Sequence, residues 1–199
     1  MSAGELPNPL LSLHAAANAE TLAYSTLEIV STFGEPQAEY AAVHKSAGLL
    51  DMPFRALVEL TGKDRLPFLN NLLTNQTFDK NTRQPLATGS AVYAFLLSAK
   101  TGRILADVNV LELGERTLLD MDARVVPTVI AELERYRFSE QVSIKSRVGE
   151  LHQISLHGPG AAAIIARLLN APLAPEVRCV AGQVLGSDAV IWVDQPCGV

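Results

Sequence analysis

The segment from Gly89 to Leu113, GSAVYAFLLSAKTGRILADVNVLEL, constrains the fold more than any other part of the chain. Two stretches rich in β-branched, aromatic and aliphatic residues, Tyr93 to Leu97 and Ile104 to Leu111, flank the polar Ala99-Lys100-Thr101-Gly102, the pattern of an antiparallel hairpin. A three-residue loop, Lys100 to Gly102 with Gly102 in the left-handed position, sets Ala99 opposite Arg103. Side chains alternate along a strand and opposed residues share a face. Tyr93, Phe95, Leu97, Leu105, Asp107, Asn109 and Leu111 then line one surface. A two-residue loop would break that set. Asp107 is an acid inside an otherwise apolar strand, and its presence there needs a reason.

A chain of 199 residues with 48% hydrophobic composition can bury a core and form one large domain or two small ones. No apolar run approaches the roughly 18 residues of a membrane span, and Met1-Ser2-Ala3-Gly4-Glu5 lacks the basic start of a secretory signal. The expected location is the cytoplasm, with no membrane partner. Cys179 and Cys197 form no CxxC or zinc pattern, so free thiols are expected. No carboxylate, Cys or second His stands at metal-ligand spacing from His44, His152 or His157, so no metal site is expected. No serine occupies a nucleophile elbow, and Cys179 has no basic neighbour in sequence, which leaves conventional hydrolase chemistry without support. A net charge of -5 argues against broad nucleic-acid binding, although a local basic patch can still hold an anionic ligand.

The chain contains an internal echo. VELTGKDRLPFLNNLL, from Val58, and ISLHGPGAAAIIARLL, from Ile154, share a short strand, a glycine turn and a helix closing on Leu-Leu. Asp64 is the expected helix N-cap in the first, and Gly158-Pro159-Gly160 breaks the strand before the alanine-rich helix of the second. Neither turn is a phosphate loop, because no GxxxxGK[ST] follows. Leu11 to Val30 contains AAANAETLAY, a helix candidate, and AEYAAVHKSAG after Glu35-Pro36 predicts a second helix with Tyr40, Val43 and Ala47 at helical spacing. Arg116 to Met121 reads as a strand, and Pro127 opens a helix with Ile130, Leu133 and Tyr136 or Arg137 on one face. QVSIKS is a further strand.

The expected class is therefore α+β, an antiparallel sheet with helices on one face in a split, ferredoxin-like unit over residues 54–146. Residues 1–53 and 147–199 form a discontinuous first sub-domain that the chain leaves and re-enters.

The segments EYAAVHKSAGLLD, VELTGKDRLPFLNNLLTN, GSAVY, GRILAD and LHGPGA, in this order across roughly Tyr40 to Leu169, resemble the glycine-cleavage T-protein and YgfZ-type folate-binding superfamily. The resemblance implies intertwined sub-domains around a tetrahydrofolate pocket. Two branches compete. One is the aminomethyltransferase, which moves a methylene group from a lipoyl-bound aminomethyl arm to tetrahydrofolate and releases ammonia. The other is the YgfZ type, a folate-dependent factor that supports assembly or repair of iron–sulfur proteins. The sequence favours the second, because Gly102-Arg103-Ile104-Leu105-Ala106-Asp107 keeps only the second acid of the transferase pair. Pro53-Phe54-Arg55-Ala56 also replaces an SHMG-like segment, and Asp122 stands where an Asn is expected. LERYRFSEQVSI is similar to the YgfZ branch.

The resemblance implies roles residue by residue. Asp107 matches the acid that contacts folate near its reacting nitrogens, where a carboxylate polarises an N–H group or stabilises positive charge. Without the match, Asp107 reads as a solvent-facing strand acid. Tyr93 matches a ring that packs against the folate, with Leu97 on the same face, and the other reading of Tyr93 is core. Asp122 either accepts hydrogen bonds from pterin N–H groups or caps the turn before Pro127. Arg55 and Arg124 suit the ligand's glutamate tail or are simply solvated.

YgfZ-type proteins carry a KGC[FY]xGQE motif. Cys197, in DQPCGV, is not that motif. The chain stops at Val199, so the resemblance implies an N-terminal part lacking the C-terminal barrel, with an incomplete pocket. Three functions remain open: a YgfZ-type folate-binding accessory protein acting on iron–sulfur clients, an aminomethyltransferase meeting a lipoyl carrier, and a degenerate module that binds no cofactor.

Overall fold

The computed structural model describes residues 8–25, 27–172, 174 and 176–193, so Cys197 lies outside the described residues. In chain order the elements begin with α1 (Leu11–Ala16), β1 (Glu20–Tyr24), β2 (Leu27–Thr32), α2 (Pro36–Lys45), β3 (Gly48–Asp51), β4 (Arg55–Thr61) and α3 (Arg65–Asn70). Then come β5 (Phe78–Asp79), β6 (Gln84–Pro85), β7 (Ala91–Leu97), β8 (Ile104–Glu112), β9 (Arg116–Asp122), α4 (Val126–Tyr136) and β10 (Ser143–Ser146). The last are β11 (Ile154–His157), α5 (Ala161–Leu169), β12 (Cys179–Val184) and β13 (Ser187–Trp192). No helix among the described residues is long and apolar enough to cross a membrane.

Packing divides the chain into two units. One gathers the described residues of Met1–Arg55 and Gly149–Leu173, the other those of Ala56–Val148 and Ala174–Gln195. The sequence assigns 147–199 to the first unit as one piece, whereas the hairpin β12–β13 packs in the second. Its Cys179 is buried with Leu111 and Leu118, and Val190 and Trp192 pack against that cluster.

In the first unit, the expected helix across AAANAETLAY is α1 followed by the antiparallel hairpin β1–β2. Asn18 is left-handed, with φ of 52°, which ends the helix before Thr21, Leu22 and Tyr24 extend as a strand. Helix α2 forms as the Glu35-Pro36 start predicts, but it buries no residue, and Tyr40 is exposed. Strands β3 and β11 pair antiparallel, from Gly48 opposite His157 to Asp51 opposite Ile154.

Asp51, at the end of β3, gathers three partners. Its Oδ2 accepts from Asn8 Nδ2 at 2.8 Å and lies 2.7 Å from His14 Nε2, while its Oδ1 lies 2.5 Å from His152 Nε2. Burial opposes ionisation of Asp51, but the hydrogen bonds of His14, Asn8 and His152, with the attraction of His152, together hold its carboxyl below the usual value. A depressed carboxyl stabilises the fold above the unfolded-state pKa, and that contribution disappears as pH falls through the folded-state value. Asp51→Asn is therefore expected to lower the urea midpoint at pH 7 and to approach wild type near pH 3. A gap that stays constant on acidification would count against this account.

The second unit is built on a five-stranded sheet in the order β10-β4-β9-β8-β7, with β10–β4, β9–β8 and β8–β7 antiparallel. One face carries Ala94, Leu96, Ala106, Val108, Val110, Leu119 and Met121, all buried. Helix α4 lies against β8 and β10, and α3 joins the same face through Arg65. Pro127 sits in the first turn of α4 as expected. Its buried stripe is Val126, Val129 and Leu133 rather than one built on Ile130. Asp64 stands at the N-cap position of α3 without a capping hydrogen bond, because its Oδ2 accepts instead from Gln141 N at 2.8 Å.

The hairpin pairs Ala91 with Leu111, Tyr93 with Asn109 and Phe95 with Asp107. This is the register of a three-residue loop, but the turn is longer: Ser98 N donates to Arg103 O at 2.8 Å, and Gly102, with φ of 68°, closes it. The extra residue is absorbed by a bulge, where the register shifts between Leu96 and Leu97 and Leu97 meets Ile104. Leu105 is the unopposed residue.

Candidate ligand-binding face

The other face of this sheet is apolar and covered at one end and polar at the other. Leu111 and Leu118 are buried beneath Cys179, with Leu57, Ala91, Val190 and Trp192 around them. Burial pushes the Cys179 thiol up to about 11, and its Sγ lies 3.2 Å from Ser90 O and 3.4 Å from Glu112 O. Such a thiol is protonated at neutral pH and packs as a small apolar group.

Beyond that end the strands carry Tyr93, Asn109 and Asp120 in one cross-strand row, since Tyr93 opposes Asn109 and Asn109 opposes Asp120. The next row holds Phe95 opposite Asp107, and the same β8–β9 register, continued one step along, brings in Asp122. Tyr93 Oη donates to Asp107 Oδ2 at 3.3 Å, and the Tyr93 and Phe95 rings meet edge to face with centroids 5.3 Å apart. Tyr93 is 44% exposed and Leu97 37%, so neither is core. The sheet thus offers an open aromatic wall beside a half-buried carboxylate.

The remaining sequence candidates divide. Asp122 accepts from Arg124 N at 2.8 Å, and so caps the short 3₁₀ turn Ala123–Val125. The Arg124 guanidinium forks onto the same carboxylate, Nε to Oδ1 at 2.9 Å and Nη2 to Oδ2 at 2.6 Å. Both groups on that side of the face therefore engage each other. Arg55 is the first residue of β4 and is half-buried.

Sequence reasoning missed Asp120, which is fully buried and accepts from Asn109 Nδ2 at 3.0 Å. The spacing Asp120-x-Asp122 in a strand, which sets two acids on one face, is the signal that would have found it. Glu59 is a second buried acid on β4, held by Arg116 at 3.0 Å and Arg147 at 2.8 Å. No group of three or more His, Cys, Asp or Glu that could hold a metal ion occurs among the described residues.

The mixed α+β architecture and its antiparallel sheets define a class, that of proteins built like the aminomethyltransferases. The crystal structure of the glycine cleavage system aminomethyltransferase T from Bartonella henselae superposes with a TM-score of 0.73 at 26% identity, covering 89% of this chain and 48% of that one. The chain belongs to the GCVT N-terminal domain family, whose model matches residues 10–192. Similar curated proteins include the aminomethyltransferases of Chloroherpeton thalassium, 26% identical over 83% of this chain, and of Bacillus subtilis, 27% identical over 82%. The chain spans less than half the length of these relatives, 44% and 43% respectively.

The residues present fit a reduced folate. Planar heterocycles stack on aromatic rings, and their N–H groups need acceptors. Tyr93 and Phe95 would supply the first, and Asp107 and Asn109 the second.

Proposed function

We propose that this chain is the tetrahydrofolate-binding part of an aminomethyltransferase-type protein. The observation that carries the reading is Asp107 set beside Tyr93 on an open aromatic face in a chain of this family. The sequence put the YgfZ-type accessory role first, on the loss of one acid at Ala106. The aminomethyltransferases among its relatives support the transferase instead, and the iron–sulfur role has no comparable support.

On this reading Tyr93, with Leu97 at the margin, packs the planar part of the ligand. Asp107 accepts an N–H near the reacting nitrogens and offsets positive charge that develops there. Bound tetrahydrofolate supplies the nitrogens that accept the one-carbon unit. Tyr93 Oη holds the Asp107 carboxylate in place, so the acid meets the ligand already oriented. Asp122 and Arg124 contribute to ligand binding only if their mutual ion pair opens.

Titration calorimetry of tetrahydrofolate into protein expressed from the natural reading frame tests the reading. Wild type is expected to bind, and Asp107→Asn to bind roughly ten- to a hundredfold more weakly, the loss of a charge-assisted hydrogen bond. Ammonia release from an aminomethyl-lipoyl carrier, abolished without tetrahydrofolate, then separates the transferase from the accessory protein. Absence of heat with wild type would overturn the folate reading, and binding without ammonia release would leave the accessory role.

A further inference from the structure

The row Tyr93, Asn109, Asp120 contains a polar pair that the proposed roles of Tyr93 and Asp107 do not use. Asp120 is fully buried on a central strand, a position where an acid is costly unless its oxygens receive hydrogens. One of those hydrogens comes from Asn109 Nδ2 at 3.0 Å. A carboxylate only accepts, so it admits one orientation of the neighbouring amide, with the NH₂ group toward Asp120 and Oδ1 turned away. The amide has no other hydrogen bond among the described residues, and Asn109 is half-buried on the face that holds Asp107. Asp107 and Asn109 stand two positions apart on β8, about 6.7 Å along the strand.

We infer that Asn109 is a specificity-determining residue of this face, an acceptor fixed by Asp120 that reads an N–H donor on the edge of the bound heterocycle. Asp120 is a positioning residue that acts through Asn109 and touches no ligand. The inference rests on the folate reading and adds a second contact to it. Asp107 takes an N–H near the reacting nitrogens, and Asn109 takes one a ring's length away, which on a reduced pterin is the 2-amino edge. A neutral amide oxygen accepts without adding a further charge to a face that already carries Asp107. It therefore selects for the donor rather than for a cation.

The test compares tetrahydrofolate with 2-desamino-2-methyl-tetrahydrofolate, which lacks that donor, by calorimetry on the protein from its natural reading frame. Truncating Asn109 alone takes a hydrogen-bond donor from a buried carboxylate, so the informative variant is Asn109→Val with Asp120→Val. It removes both partners together and keeps the strand pattern. The variant is expected to bind tetrahydrofolate about tenfold more weakly than wild type and the desamino analogue within about twofold of wild type. Asp120→Asn, which lets the amide turn over, is expected to lose discrimination between the two ligands, and Asp120→Glu to recover part of it. Equal weakening toward both ligands would assign the pair a structural role and overturn the inference, as would unchanged affinity for tetrahydrofolate. If wild type binds neither ligand, the folate reading fails and this inference falls with it. If wild type binds tetrahydrofolate and the double variant discriminates as well as wild type, only the inference fails.

Discussion

Gly62→Ala is expected to destabilise the second unit by about 3–5 kcal/mol, among the largest losses any single methyl group could cause in this protein. Gly62 directly follows β4 with φ of +104°, and a Cβ there would overlap the carbonyl oxygen of Gln141, with its carbonyl carbon at 2.9 Å and Val142 Cα at 3.2 Å. These are backbone atoms on the approach to β10, whose Ser143 pairs with Thr61. They cannot move aside without unzipping the edge of the sheet. Gln141 is also tied to the start of α3, because its N donates to Asp64 Oδ2 at 2.8 Å. Gly102 supplies the control. It is left-handed too, with φ of +68°, but nothing lies within 4 Å of an added Cβ. Gly102→Ala should therefore show the conformational cost alone, about 1–2 kcal/mol. Urea unfolding monitored with unchanged slope measures both. Equal losses in the two variants would show that the Gln141 carbonyl is not what forbids a side chain at position 62.

The same contrast between local and distant causes explains how much of the fold is legible in the sequence. The face shared by Tyr93, Asp107 and Asn109 follows from a period of two, and the sheet respects it because a one-residue slip would turn Val108 and Val110 out of the core. The turn itself misleads. It holds one residue more than the pattern implies, and only the bulge at Leu105 restores the register, a compensation with no local signature. AAANAETLAY has the composition of a helix, yet the left-handed Asn18 ends the helix and β1 pairs with β2. Local propensity yields there to strand pairing. The place of β12–β13 depends on Cys179 and Trp192 meeting Leu111 and Leu118, residues some 70 positions apart by sequence separation, as the Cys179 and Glu112 contact at 67 positions shows.

The site divides along the same line. Asp107 and Tyr93 are visible because they share a hairpin, one loop apart. Asn109 and Asp120 become a pair only once β8 and β9 are set in register. Asp122 and Arg124 look like ligand groups in isolation, and the structure joins them to each other because a cap and a guanidinium fork both lie within reach two residues away. A motif names residue types, but which hydrogen bonds they already make decides what they have left to offer a ligand.

Arg65→Met should cost about 3–5 kcal/mol, the penalty for leaving an uncompensated charge inside. Arg65 reaches from α3 into the helix-covered side of the sheet. Its Nη2 pairs with Glu112 Oε1 at 2.6 Å and also reaches Gly114 O, and its Nε donates to Thr117 Oγ1 at 3.0 Å. Glu112 is almost fully buried, with its other oxygen accepting from Thr117 at 2.5 Å and Oε1 also accepting from Gly114 N at 2.8 Å. The network closes the β8–β9 turn and fixes the register that aligns Asn109 with Asp120 and Asp107 with the aromatic wall. Removing the guanidinium strands the carboxylate. Removing both charges, in Arg65→Met with Glu112→Leu, leaves only the neutral turn groups to find partners. The double variant is therefore expected to recover at least half of the single variant's loss. A thermodynamic cycle in urea reads the coupling directly, and a sum of single losses equal to the double loss would show that Arg65 and Glu112 act independently. Because β8 bears both Glu112 and Asp107, the single variant is also expected to weaken tetrahydrofolate binding in the fraction that stays folded. The double variant, with the turn's backbone hydrogen bonds retained, should bind closer to wild type.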